Sequence, residues 1–322
     1  MRTGAPTGKP IDRIMDKPSA LVTVAILMNV LGCASGPPSV PVALVSPVDS
    51  HVTEPSVQAQ APVSPPRGPQ ERPEWNQYFA QEQVTGTIAL LDTQDGQLAC
   101  SNVPLCERAT IPASTFKIAH SMIALETGVV EDSESVLAWD GTEYPVEAWN
   151  RDHTLRTAVQ VSCVPCFQAI ARKVGEERMG EWLVRLDYGN HEMGGPIDRF
   201  WLTGGLLISP LGQIDFLRRF AEGALPISKR TAETVQDIIT VDVGNQYVLV
   251  GKTGLQQPPE YPELAGWFVG WLQLGERHVY FATLINGHLP DVDVGPARQR
   301  VTERVLSALG LLPEDVSRAL DK

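Results

Sequence analysis

From Gln83 to Leu91 (QVTGTIALL) apolar positions alternate and then run together; Gln94-Asp95-Gly96 interrupts them, and Gln97 to Cys100 resumes the pattern. Period-two alternation broken by a Gly-containing turn predicts a β-hairpin. Ser114 to Thr127 (STFKIAHSMIALET) has the wider spacing of a helix, with Pro112 before it and Gly128 after it, the expected punctuation of helix ends. Residues 154–224 read as several helices (FQAIARKVGEERMGEWLVRL, PLGQIDFLRRFAEG), broken by the Gly/Asn/Pro-rich 189–197. Strand-like runs follow at Gln246–Gly251, Gly266–Leu274 and His278–Asn286, the last two joined by a turn at Gly275-Glu276-Arg277, and Arg298 to Leu309 is a final amphipathic helix. Strands at both ends with helices between them predict an α+β domain: one central antiparallel sheet completed by the two ends and flanked by helices, with an inserted helical subdomain.

The first part of the chain has another character. Lys17 precedes an apolar stretch, Ala20 to Leu31, too short to span a bilayer and suited to a secretory signal segment, with Met15 as an alternative start. Val30-Leu31-Gly32-Cys33 resembles the site at which a signal peptide is cut before a lipid-bearing cysteine. Residues 33–73 are rich in Pro, Ser, Val and Ala, a composition that buries too little apolar surface to offset chain entropy. The expected organisation is therefore a signal peptide over 1–32, a lipid-attachment cysteine and tether over 33–73, and a catalytic domain over 74–322. Such a protein is exported and held by lipid on Cys33, on the periplasmic side of an outer membrane or at the surface of a single-membrane cell. The net charge of −12 argues against a nucleic-acid partner. An exported chain permits disulfides, and Cys100 with Cys106, and Cys163 with Cys166, are the candidate pairs. The histidines show no ligand spacing, and no metal site is expected.

Ser114 and Lys117 at a helix start carry the chemistry. Residues three apart on a helix share a face, and first-turn N–H groups favour negative charge. A serine hydroxyl needs a base, and a lysine serves as one only when burial keeps it neutral. Alone, this pair is a weak signal and far more often describes a helix cap beside a surface lysine. Two further groups narrow the choice: Ser162-Cys163-Val164 before a helix opened by Pro165, and Lys252-Thr253-Gly254 at the end of a strand-like run.

Over 84–310 the chain resembles the class D (oxacillinase-type) serine β-lactamases. Its matching motifs are Pro112-Ala-Ser-Thr-Phe-Lys117, Ile123-Ala-Leu-Glu-Thr-Gly128, Trp139-Asp-Gly141, Trp149-Asn-Arg-Asp152, Ser162-x-Val164, Tyr188-Gly-Asn190, Phe200-Trp-Leu202, Lys252-Thr-Gly254 and Gly266-Trp-Phe-Val-Gly-Trp271. The resemblance implies the serine β-lactamase/penicillin-binding-protein-like transpeptidase fold and hydrolysis of β-lactams through an acyl-enzyme on Ser114. It implies that CO2 or bicarbonate converts Lys117 into a carbamate that acts as the base, in a pocket walled by Phe116, Val164 and Trp201, with no dissociable cofactor. Ser162 and Lys252 would serve proton transfer, and the backbone N–H groups of Ser114 and Leu255 the oxyanion. Thr253, Gly254 and Arg298 would hold the substrate carboxylate, with Trp149 and Val146 along the groove.

Some positions depart from the family's common pattern. His120 stands where Asn is usual and is expected to pack or anchor a loop rather than act as a base. Leu255 replaces a frequent aromatic, and a bridge from Cys163 to Cys166 would stiffen the active-site loop. Three alternative functions share the fold: a β-lactam sensor that acylates without turnover, a D,D-peptidase, and an inactive lipoprotein that binds a partner. Val164 weighs against the second, and the intact Ser114, Lys117, Ser162 and Lys252 against the third.

Overall fold

The computed structural model describes residues 68–289 and 292–312. The signal segment, Cys33 and the tether as far as residue 67 lie outside the described residues. No helix among the described residues is long and apolar enough to cross a membrane.

The strands are β1 (Gln70–Glu71), β2 (Val84–Asp92), β3 (Gln97–Cys100), β4 (Val136–Leu137), β5 (His153–Thr154), β6 (Thr240–Val243), β7 (Val248–Gln256), β8 (Ala265–Leu274) and β9 (Arg277–His288). The helices are α1 (Asn76–Gln81), α2 (Val103–Glu107), α3 (Lys117–Glu126), α4 (Leu155–Gln160), α5 (Val164–Val174), α6 (Glu176–Leu186), α7 (Phe200–Thr203), α8 (Pro210–Ala221), α9 (Lys229–Ile238) and α10 (Val294–Ala308). Seven strands form the main sheet in the order β1-β3-β2-β9-β8-β7-β6, so the two ends of the domain meet at β2 and β9 as the sequence predicted. One pairing corrects the antiparallel expectation: β1 runs parallel to β3, with Gln70 opposite Ala99, which makes the sheet mixed. The pairing is carried by the backbone, including Arg72 N–H to Cys100 O at 2.7 Å, and so left no apolar pattern to read. The sheet thus begins before residue 74, where the domain was expected to start.

Both faces of the sheet are covered. Alternate side chains of a strand point to opposite faces. On β8, Trp267, Val269 and Trp271 join the core that also holds α3, α5 and α8 residues, while Phe268 and Leu272 join the core beneath α1 and α10. That double burial explains why 265–272 reads as an unbroken apolar run. Helix α3 is buried on all sides from Lys117 to Ala124 and passes through the larger core. Sequence patterning missed α2, α9 and β6. The polar α9 buries only Thr231, Val235 and Ile238, a thin stripe at helical spacing. The final helix starts at Val294, four residues earlier than expected, with Asp293 Oδ1 accepting from Gly295 N–H at its start.

Candidate active site

Ser114 lies in a tight turn, Ala113–Phe116, rather than in the first turn of an α-helix; α3 begins at Lys117. The turn is of the 3-10 type, whose three residues per turn bring side chains i and i+3 into line. Lys117 Nζ donates to Ser114 Oγ at 2.9 Å. Ala113 reaches this turn with a φ of 48°, the left-handed region that non-glycine residues avoid. A buried network holds the turn: Thr115 Oγ1 donates to Pro112 O at 2.7 Å and accepts from Gln213 Nε2 at 2.9 Å, and Gln213 also donates to Tyr188 OH at 3.5 Å.

The second serine is also strained. Ser162 has a φ of 54° at the junction between α4 and α5, where Cys163 caps α5 by accepting from Cys166 N–H. Cys163 and Cys166, one of the two candidate pairs, are joined as a disulfide across a Cα separation of 5.4 Å. Lys252 Nζ, from β7, donates to Ser162 Oγ at 3.1 Å and to Thr253 O at 3.0 Å. Strand β7 continues past Lys252-Thr253-Gly254 to Gln256 instead of ending there. Gly254 lets the strand approach the Ser114 turn: a Cβ there would stand 3.0 Å from Pro112 O and 3.1 Å from Thr115 N. Arg298 Nη1 donates to Gly254 O at 2.6 Å, so the guanidinium braces the same strand residue from α10.

A cavity of about 260 Å³ joins these pieces, lined by Ser114, Trp149, Ser162, Val164, Thr253, Gly254, Leu255 and Arg298. Ser114 and Leu255, the expected oxyanion donors, border it together. Trp149 is fixed by its indole N–H to Val161 O at 3.0 Å. Val146 is exposed and is not among the residues lining this cavity. Lys117 has no exposed surface, and Phe116 and Trp201 are equally buried. Phe167, which sequence reasoning passed over, lies with its ring centroid 5.2 Å from Lys117 Nζ. Its position in α5 gave only an apolar signal that any core residue gives.

Burial, then the charge of Lys252, holds the Lys117 amine well below its ordinary value, which favours the neutral form. Lys252 is pushed down to about 7 by burial and then by Arg298. The site therefore favours the neutral amine at Ser114 and, with Lys252 at about 7, a partly protonated one at Ser162 near neutral pH.

A transpeptidase domain model, described as that of penicillin-binding proteins, matches residues 86–307. The β-lactamase OXA-48 of Klebsiella pneumoniae is 38% identical over 244 residues, which cover 76% of this chain and 91% of that protein. The crystal structure of the class D β-lactamase YbXI from Nostoc superposes with a TM-score of 0.70 at 40% identity, covering 74% of this chain and 99% of that one. This chain belongs to the class D β-lactamases. The class D enzyme FUS-1 (OXA-85) from Fusobacterium nucleatum subsp. polymorphum gives a TM-score of 0.72 at 31% identity, over 76% of this chain and 100% of that one.

Two further expectations meet the structure of this class D β-lactamase. Cys100 and Cys106, candidates for a bridge, are buried free thiols, with Cys106 Sγ also 3.2 Å from Thr87 Oγ1. Their mutual hydrogen bond, followed by burial, holds the Cys100 thiol above its ordinary value. His153, Cys163 and Cys166 come within 4.8 Å of one another, a grouping of metal-ligand types that spacing did not suggest. The two sulfurs are bonded to each other, and the His153 ring nitrogens contact Thr157 Oγ1 at 3.1 Å and Ala148 O at 2.9 Å.

Proposed function

We propose that this enzyme hydrolyses β-lactam antibiotics through an acyl-enzyme on Ser114, with Lys117 serving as a CO2-derived carbamate. The observation that carries the reading is the position of Lys117: an amine with no exposed surface, 2.9 Å from the nucleophile, whose neutral form burial favours. A neutral amine adds CO2 by forming an N–C bond while one C=O pair moves to oxygen and the amine releases a proton to solvent. The product supplies an anionic base matched to neutral pH, which a lysine ammonium is not. The pocket fits such an anion, because the buried indole Nε1 of Trp201 has no hydrogen-bond partner among the described residues.

Ser114 Oγ gives its proton to the carbamate on Lys117 and attacks the lactam carbonyl carbon; the carbonyl pair moves onto oxygen, facing the N–H groups of Ser114 and Leu255. As the tetrahedral centre collapses the C–N bond breaks, and Ser162 passes a proton to the leaving nitrogen with Lys252 behind it. Thr253 and Arg298 receive the substrate carboxylate. Water, activated at Lys117, then adds to the ester and releases Ser114. Export on a lipidated Cys33, with the outer membrane as destination, belongs to the same proposal. The motif at Val30–Cys33 supports it, and incorporation of labelled palmitate that is lost in Cys33→Ser tests it.

Hydrolysis of a chromogenic cephalosporin with and without added bicarbonate tests the central reading. Multiple turnovers stimulated by bicarbonate are expected. A single stoichiometric burst that leaves a long-lived adduct, even in bicarbonate, overturns hydrolysis in favour of a sensor.

A further inference from the structure

One turn along α3 from Lys117, His120 is wholly buried, and neither of its ring nitrogens has a hydrogen-bond partner among the described residues. Its ring lies 5.1 Å from Phe167 and meets Trp201 edge-on at 5.1 Å, centroid to centroid. The amine of Lys117 rests against the same Phe167 ring. The imidazole, the amine and the unpartnered Trp201 indole thus share one apolar enclosure. A phenylalanine would fill the ring's space without burying two unpaired nitrogens, and such atoms are seldom left unpaired in a native interior. Burial above all pushes the imidazole down to about 3, which favours the neutral ring with one N–H and one lone pair.

We propose that His120 is a positioning residue for the anion that CO2 forms on Lys117. Its ring N–H, beside the Trp201 indole N–H, is the second donor to that anion, and it strengthens this enzyme's hold on CO2. The proposal rests on the carbamate reading of Lys117 and goes beyond it by naming what sets its occupancy. It adds to the packing role expected from sequence: the ring does pack, and its contacts are the walls of the lysine pocket. An amide side chain in its place would offer an N–H as well.

The test is a titration of the enzyme with 13C-bicarbonate at fixed pH, read as the intensity of the carbamate carbon resonance. Wild type, His120→Asn and His120→Phe are compared, with His120→Leu as a second apolar variant should His120→Phe not fold. A hydrogen bond to a charged group predicts a half-saturating bicarbonate concentration raised at least about tenfold in the apolar variants. His120→Asn should stay within about threefold of wild type. Equal half-saturation in wild type and the apolar variants would leave His120 a packing residue and overturn the proposal, as would His120→Asn behaving like the apolar variants. A wild-type enzyme without a carbamate resonance at saturating bicarbonate overturns the reading of Lys117 itself, and this inference with it.

Discussion

Lys117 Nζ and Ser114 Oγ stand 2.9 Å apart in a pocket that leaves the lysine no exposed surface. Removing a general base costs roughly a hundred- to ten-thousandfold in rate. Lys117→Ala should therefore lose turnover by about that factor, and added bicarbonate should not restore it, because the atom that takes up CO2 is gone. Steady-state hydrolysis of a chromogenic cephalosporin reads the loss. Bicarbonate-stimulated activity in the variant would place the base elsewhere.

Gly254 sits where strand and catalytic turn touch, and a methyl group there would press on Pro112 O at 3.0 Å and on Thr115 N and Cγ2 at 3.1 Å. Two of these three atoms are backbone, so relief requires the strand or the turn to give by a few tenths of an ångström, and typical overpacking costs about 1–3 kcal/mol. Gly254→Ala should slow acylation more than tenfold, since Leu255 N–H and Ser114 N–H would no longer face one point. Stopped-flow measurement of acylation beside a urea melt separates the two effects. An unchanged acylation rate in a folded variant would show that the contact does not set the geometry.

The two buried lysines make stability depend on pH. Lys252 has a folded value of about 7 against an ordinary 10.5, so between those pH values the unfolded chain binds the extra proton. Stability then rises with pH across that window, by up to about 1.4 kcal/mol per unit for each such group, and the penalty is fully present below pH 7. Lys117, lowered by burial as well, has the same sign. Urea midpoints in CO2-free buffer should climb from pH 7 to pH 9, and Lys252→Met should climb less. A midpoint that falls over this range, or a variant as steep as wild type, contradicts the assignment.

The sequence made the catalytic set legible because chemistry constrains residue type at fixed spacing: Ser114 with Lys117, Ser162 with Val164, and Lys252 with Gly254 each form a local motif. The paired ends of the sheet were legible for a similar reason, since β2, β8 and β9 are dense in apolar positions. What escaped was decided by tertiary contact. Phe167 resembles any core residue until Lys117 is seen beside it. The parallel strand at Gln70–Glu71 is held through its backbone, and α9 buries too narrow a stripe to read as a helix. His120 was visible as a departure, but only its neighbours Phe167 and Trp201 connect it with the lysine pocket.

The Cys163–Cys166 bridge lies directly after Ser162, whose φ of 54° is costly for a serine and persists only where neighbouring structure enforces it. A bridge between residues three apart closes a small loop, for which chain entropy gives about 2 kcal/mol. For a domain of this size that corresponds to about 4–8 °C in Tm. Cys163→Ser with Cys166→Ser should melt lower by that amount. Acylation should slow as well, because Ser162 would spend less time in the conformation that meets Lys252 Nζ at 3.1 Å. Thermal melts and pre-steady-state acylation, each with and without reductant, check both parts, and reductant should move wild type toward the variant while leaving the variant unchanged. If the double variant acylates at the wild-type rate despite a lower Tm, the bridge supports the fold alone and the strain at Ser162 is held by Ser162 N–H to Val159 O and Cys163 N–H to Ala158 O, the bonds at 3.1 and 2.8 Å.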